Sequence, residues 1–183
     1  SIFSFYATKM LGAGEGGMVL SNELDLIETI RDLRDYDEKD HYSVRYNYKM
    51  TDIQAVLAES QLKNLPSFIE RRKEIARIYN NGLNGVVSRI PVMPEEREHI
   101  YYRYVILLEN PSRFMKAMRK RGIECKRPVF KPLHKYLKLS GHPVTEEIWD
   151  RAVSIPIYPS LTNEEVLRIG DSVKAVSYTH LRA

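Results

Sequence analysis

The sequence predicts a mixed α/β fold whose second half is a small α+β domain. Three observations predict it. Two short apolar runs, 2–6 and 18–20, flank a glycine-rich turn. Three helix starts, at Thr51, Ser67 and Thr162, carry the Ser/Thr-x-x-Glu/Gln pattern of a capping box. A single β-rich run, Tyr101 to Leu108, is then followed by helical patterns.

Each element has its own signal. Ser21-Asn22 suits the cap of a helix that lines up Leu26, Ile27, Ile30 and Leu33 on one face. Residues 34–49 are polar and tyrosine-rich without a period, so they read as a loop. The Thr51/Gln54 box opens a helix through Ala55, Val56, Ala58 and Leu62 that Pro66 is expected to close. The Ser67/Glu70 box then opens a second helix, ending near Gly82 or Gly85. Prolines and charges between Arg89 and Glu98 mark a boundary, giving expected domains at 1–90 and 91–176. Asn110-Pro111 starts a helix that stops at Gly122, and Thr145 is expected to open another through Ala152. The Thr162/Glu165 box opens the last, with Val166, Leu167, Ile169 and Val173.

Composition narrows the function classes. Of 183 residues, 43% are apolar and 28% charged, the balance of an ordinary globular chain. No apolar run approaches the roughly 20 residues of a membrane span, and no signal-peptide pattern opens the chain. A single cysteine, Cys125, rules out an intrachain disulfide and favours a reducing compartment, hence the cytoplasm. The net charge of +4 permits an anionic ligand. Basic runs at 71–73 and 119–121 fall on amphipathic helices and read as solvated faces, not as a nucleic-acid patch. No metal site is read. The chain begins without methionine inside an apolar run, and its helical pattern stops before 177–183. Both ends therefore read as cut, and 177–183 as a non-native tail of cloning origin.

The chemistry-bearing signal is Lys9, between an aromatic strand and Gly12-Ala13-Gly14-Glu15-Gly16-Gly17. The glycines fit G-x-G-x-x-G, but a dinucleotide site needs a helix to start at the last glycine, and strand-like Met18-Val19-Leu20 follows instead. A lysine leaving an apolar strand beside glycines has another use. Burial would favour its neutral, nucleophilic form, and glycines let backbone approach a cofactor ring. On spacing alone, a solvated strand-end lysine and a plain hairpin turn stay open.

Longer motifs go further. Ser4-Phe5-Tyr6-Ala7-Thr8-Lys9 with Gly14-Glu15-Gly16-Gly17, then Tyr46-Asn47-Tyr48-Lys49-Met50-Thr51-Asp52-Ile53-Gln54-Ala55, then Pro132-Leu133-His134 and Ser154-Ile155-Pro156-Ile157-Tyr158-Pro159-Ser160-Leu161-Thr162 stand in that order. Together they resemble the sugar-nucleotide aminotransferases of the DegT/StrS type, over roughly residues 1–175. The resemblance implies the C-terminal portion of a pyridoxal-phosphate (PLP) transferase fold: the end of the large α/β domain, then the small C-terminal domain.

By that resemblance Lys9 is the lysine that holds PLP as a Schiff base and moves the proton. Ser4 is the serine on the cofactor phosphate. Asn47 reaches the phosphate in the neighbouring subunit, which implies a homodimer with shared sites. Arg45 stands where the family often has glycine, and Lys49 where it often has arginine; lysine keeps the charge but loses the bidentate fork. Lys49 and His134, the latter between Lys131 and Lys135, are the candidate substrate contacts. The implied reaction moves an amino group from an amino acid, glutamate first, to a nucleotide-linked keto sugar. The fragment alone is expected to be inactive, because the carboxylate for the pyridine nitrogen would lie in the other half. The rival readings are another PLP enzyme of the same fold type, and a non-enzymatic basic nucleic-acid-binding module.

Overall fold

Alternating residues at the start of the chain pair across the glycine turn. In the computed structural model, which describes residues 1–94 and 96–180, β1 (Ile2–Ser4) and β2 (Gly17–Val19) form an antiparallel pair in the register Ile2↔Val19 and Ser4↔Gly17. The ladder continues past the strands: Phe5 N–H donates to the Gly16 carbonyl and Ala7 N–H to that of Gly14, both at 2.8 Å. Gly14 and Gly16 take φ of +82° and +134°, which a side chain would resist. α1 (Leu24–Leu33) follows. Its apolar face is only partly covered, and none of its residues is buried.

α2 (Asp52–Leu83) corrects the two-helix expectation. The Thr51 box forms, with Thr51 N–H donating to Gln54 Oε1 at 3.0 Å and Gln54 N–H to Thr51 Oγ1 at 3.3 Å. The Ser67 box does not: the Ser67 hydroxyl donates back to the Asn64 carbonyl at 2.8 Å, inside a continuous helix. Pro66 removes one donor, but Pro66 and Leu62 are both exposed, so the carbonyl left over is not at a buried position.

The chain divides into two compact units, Ser1–Ser67 and Phe68–Ala183, and the division falls within α2. The stretch around 90, expected as a boundary, lies inside the second unit. There Leu107 N–H donates to the Arg89 carbonyl at 3.0 Å, and the C-terminal half of α2 supplies Ile75, Ala76, Tyr79 and Leu83 to the core.

Among the described residues the second unit contains two strands where one was expected. β3 (Tyr104–Leu107) pairs antiparallel with β4 (Ala152–Ile155) from Tyr104↔Ile155 to Leu107↔Ala152. A four-residue run ending against Pro156 is too short to stand out by periodicity. α3 (Pro111–Arg119) has the expected cap, Arg113 N–H donating to Asn110 Oδ1 at 3.1 Å. α4 (Leu133–Tyr136) is one turn. α5 (Pro143–Arg151) begins two residues before Thr145, because proline suits the first helical position.

α6 (Asn163–His180) opens on the Thr162/Glu165 box and continues through 177–180, past the point where its pattern was expected to stop. The rest of the proposed tail, 181–183, lies outside the described residues. Tyr104, Ile106, Phe114, Met118, Val153, Val166 and Val173 are almost wholly buried in this core. Its tyrosines are satisfied: the Tyr79 hydroxyl donates to the Pro156 carbonyl at 2.9 Å, and that of Tyr104 to Asn80 Oδ1 at 2.7 Å.

Candidate functional site

The hairpin of the first unit carries Ser4 on its stem and Lys9 in its loop. Lys9 N–H closes a turn onto the Tyr6 carbonyl at 2.8 Å, and Ala13 N–H donates to the Phe5 carbonyl at 2.8 Å. Between those two bonds the chain must reverse, and this lifts residues 8–12 off the ladder. Lys9 is exposed, so the burial expected for its amine is not supplied by these residues. Ser4 is also exposed, and its Oγ accepts from Tyr6 N–H at 3.4 Å, leaving the hydroxyl proton for another acceptor. Lys9 and Ser4 are thus both exposed and stand on the same hairpin.

The loop expected at 34–49 is irregular throughout and held mainly by charge. Arg45 Nε donates to Asp32 Oδ1 at 2.9 Å, Arg45 Nη1 donates to the His41 carbonyl at 3.0 Å, and Lys39 pairs with Asp32 at 3.0 Å. Arg45, then Lys39, hold the Asp32 carboxyl below its ordinary value. Tyr46 N–H and Tyr48 N–H return to the Leu33 and Arg34 carbonyls at 2.7 and 2.9 Å, and the two tyrosine rings stack 4.9 Å apart. Asn47 lies exposed between them.

Lys49 is exposed but paired, with Nζ 3.0 Å from both Asp35 Oδ1 and Asp37 Oδ2. Those carboxylates, Asp35 first, raise its pKa, and Lys49 in turn lowers that of Asp35. Lys49 also borders an open cavity of about 740 Å³ lined by Phe3, Met18, Ile27, Ile30 and Arg34.

His134 belongs to the second unit. It is 9% exposed, and its Nε2 lies 2.6 Å from Glu146 Oε1, while Lys135 Nζ sits 2.6 Å from Glu146 Oε2 and 4.1 Å from the Trp149 ring centroid. Lys135, then His134, hold Glu146 below its ordinary value. Lys131 lies over the Tyr136 ring. The basic cluster read from sequence is thus largely occupied by contacts within its own unit.

Ser4 and Lys9 share the hairpin; Asn47 and Lys49 share the segment 46–50. A small cluster of Phe5, Ala13 and Ala58, with Leu11 and Met50 packed on it, joins hairpin, segment and α2. Sequence reasoning missed Met50 and the pairing of Arg45. Glycine at 16 was the available signal for the first, and the surplus of aspartates before Arg45 for the second.

Comparison with known proteins places these residues in context. The model of the DegT/DnrJ/EryC1/StrS aminotransferase family matches residues 1–174. The chain is 34% identical to the GDP-perosamine synthase of Escherichia coli O157:H7, over 94% of this chain and 50% of that protein. It is 29% identical to the dTDP-3-amino-3,4,6-trideoxy-alpha-D-glucose transaminase of Micromonospora megalomicea, over 95% and 51%. Among solved structures it is similar to S. venezuelae DesV in complex with a ketimine intermediate, with a TM-score of 0.86 and 28% identity over 96% of this chain and 51% of that one. The chain spans about half the length of the curated relatives it matches.

Proposed function

The chain belongs to the DegT/DnrJ/EryC1/StrS aminotransferase family, and on that premise we propose that it is the C-terminal half of a PLP-dependent enzyme. That enzyme moves an amino group from an amino acid, glutamate first, to a nucleotide-linked keto sugar. The observation that carries this reading is the Lys9 hairpin, an exposed amine in a loop closed by backbone bonds, with the Ser4 hydroxyl on the same stem. The named relatives act on GDP- and dTDP-linked sugars, which supports a nucleotide sugar as substrate.

PLP, when bound, supplies an aldehyde that captures amines and a ring that accepts the electrons of a deprotonated carbon. Lys9 Nζ would be the amine that holds the cofactor, and as a free base it would move a proton at the donor carbon. The Ser4 hydroxyl donates to the phosphate. Asn47 serves the phosphate in a second copy of the chain, making the enzyme a homodimer with shared sites. Lys49 is the favoured substrate contact because it is exposed; it would exchange Asp35 and Asp37 for a substrate anion. His134 would have to give up Glu146 to do the same.

The carboxylate for the pyridine nitrogen belongs to the other half, so this chain alone is inactive. We place the reaction in the cytoplasm. The lone Cys125 is buried and its thiol is pushed up to about 12 by that burial, which suits a structural role. Among the described residues no helix is long and apolar enough to cross a membrane. The product would feed surface polysaccharide or a glycosylated metabolite.

The test is amination by the full-length enzyme. With glutamate and a panel of GDP-, dTDP- and UDP-linked keto sugars, mass spectrometry should find an amino-sugar nucleotide. If no keto sugar is aminated with any amino donor, while the protein still binds PLP, the substrate class is wrong.

A further inference from the structure

The two segments that carry the proposed site pack together at Met50. A Cβ built on Gly16 would fall 3.2 Å from Met50 Cγ, closer still to its Sδ, and 3.8 Å from Phe5 Cβ. A methyl there would oblige the flexible Met50 side chain to shift. Met50 directly follows Lys49 and precedes the Thr51 cap, so its backbone is fixed from the C-terminal side by the start of α2. Its side chain packs on the cluster that Phe5 and Ala13 of the hairpin form with Ala58 of α2. Phe5 is tied across the stem to both Gly16 and Ala13 by backbone bonds of 2.8 Å. Met50 therefore presses on the paired stem whose loop holds Lys9.

We propose that Met50, seated on Gly16, is a positioning residue for Lys9: it sets the hairpin against the 46–50 segment that carries Asn47 and Lys49. This rests on the reading of Lys9 given above. The cluster has only three buried members, so a single side chain is a large part of what holds hairpin and segment together. A flexible thioether fills such an irregular gap well. Glycine at 16 serves two needs at once, a positive φ and room for the sulfur. A displaced hairpin would carry Lys9 out of register with groups brought by the segment, and misplacement by about 1 Å costs on the order of a hundredfold in rate.

The test uses the full-length enzyme with Met50→Ala, Met50→Leu, Gly16→Ala and Lys9→Ala. The readouts are the pH at which the yellow cofactor band titrates, PLP affinity, and kcat against KM. Met50→Ala and Gly16→Ala should lower kcat by roughly tenfold to a hundredfold with little change in KM, and should move the titration of the band. Met50→Leu, which conserves volume and character, should restore both to within about twofold. If Met50→Ala does not fold, Met50→Leu and Met50→Val provide a graded series, and kcat and band titration must then follow side-chain shape. Unchanged kcat and band titration in folded Met50 variants overturn the proposal. Lys9→Ala separates the two levels: a band that survives it sinks the reading of Lys9 itself, whereas a band lost with Lys9 but indifferent to Met50 sinks only the positioning role.

Discussion

Arg45 grips Asp32 with a single nitrogen, its Nε donating to Oδ1 at 2.9 Å and to Oδ2 at 3.0 Å. The Arg45 side chain is only 3% exposed, unusual for an arginine in a loop. Its Nη1 serves the His41 carbonyl, and Lys39 meets the same aspartate. Arg45 is thus the residue that folds the loop back onto the end of α1. Order in 34–49 comes from this charge network, since the segment has no regular backbone ladder.

Arg45→Gly should loosen the loop without touching the second unit. Amide exchange at Tyr46 and Tyr48, whose N–H groups return to the Leu33 and Arg34 carbonyls, should speed up by roughly tenfold or more. Amides of β3 and β4 should keep their rates. Equal acceleration in both units would contradict the assignment.

The loop should also report pH with a definite sign. Asp32 and Asp35 lie below the ordinary 3.8, held there first by Arg45 and Lys49 respectively. Their contribution is therefore full above about 3.8 and is lost as pH falls through the depressed values. Lys49 lies above 10.5, so its contribution persists below 10.5 and is lost as pH rises beyond it. Tyr46 and Tyr48 amide protection, corrected for intrinsic exchange, should be flat through neutrality. A step within the neutral range would contradict this sign.

Burial predicts a sharp contrast between two isoleucines. Ile106→Ala, at a position with no exposure, should cost about 2–5 kcal/mol. Ile53→Ala, at 76% exposure, should fall within about 0.5 kcal/mol in this chain. Urea unfolding followed by far-ultraviolet circular dichroism, which reads the helices of both units, measures both. Comparable losses would mean that Ile53 is covered.

Pro66 offers a test of the continuous helix. Pro66→Ala returns the missing donor to α2 and should stabilise the chain by about 1–3 kcal/mol, seen as a higher urea midpoint with more helical circular dichroism. Were the chain broken there into two helices, the change would be neutral or unfavourable.

Local signals in the sequence proved legible where one residue satisfies one backbone group. The Thr51, Asn110 and Thr162 caps all form as their side chains require. The Ser67 box was misleading because a helix already running offers Ser67 the Asn64 carbonyl, and proline on an exposed face does not stop it. β4 was missed because four residues carry too little pattern, and its pairing with β3 is non-local. In the site, sequence could point to Lys9 and Ser4 but not to Met50, whose meaning depends on which glycine it faces. Nor could it show that Glu146 already occupies His134.

The central claim is that Lys9 Nζ is the atom that holds the cofactor. Incubating the full-length enzyme with PLP, reducing with borohydride and mapping the digest by mass spectrometry tests it directly. The phosphopyridoxyl mass should sit on the peptide containing Lys9 and disappear with Lys9→Ala. A stoichiometric adduct on any other lysine would contradict the account.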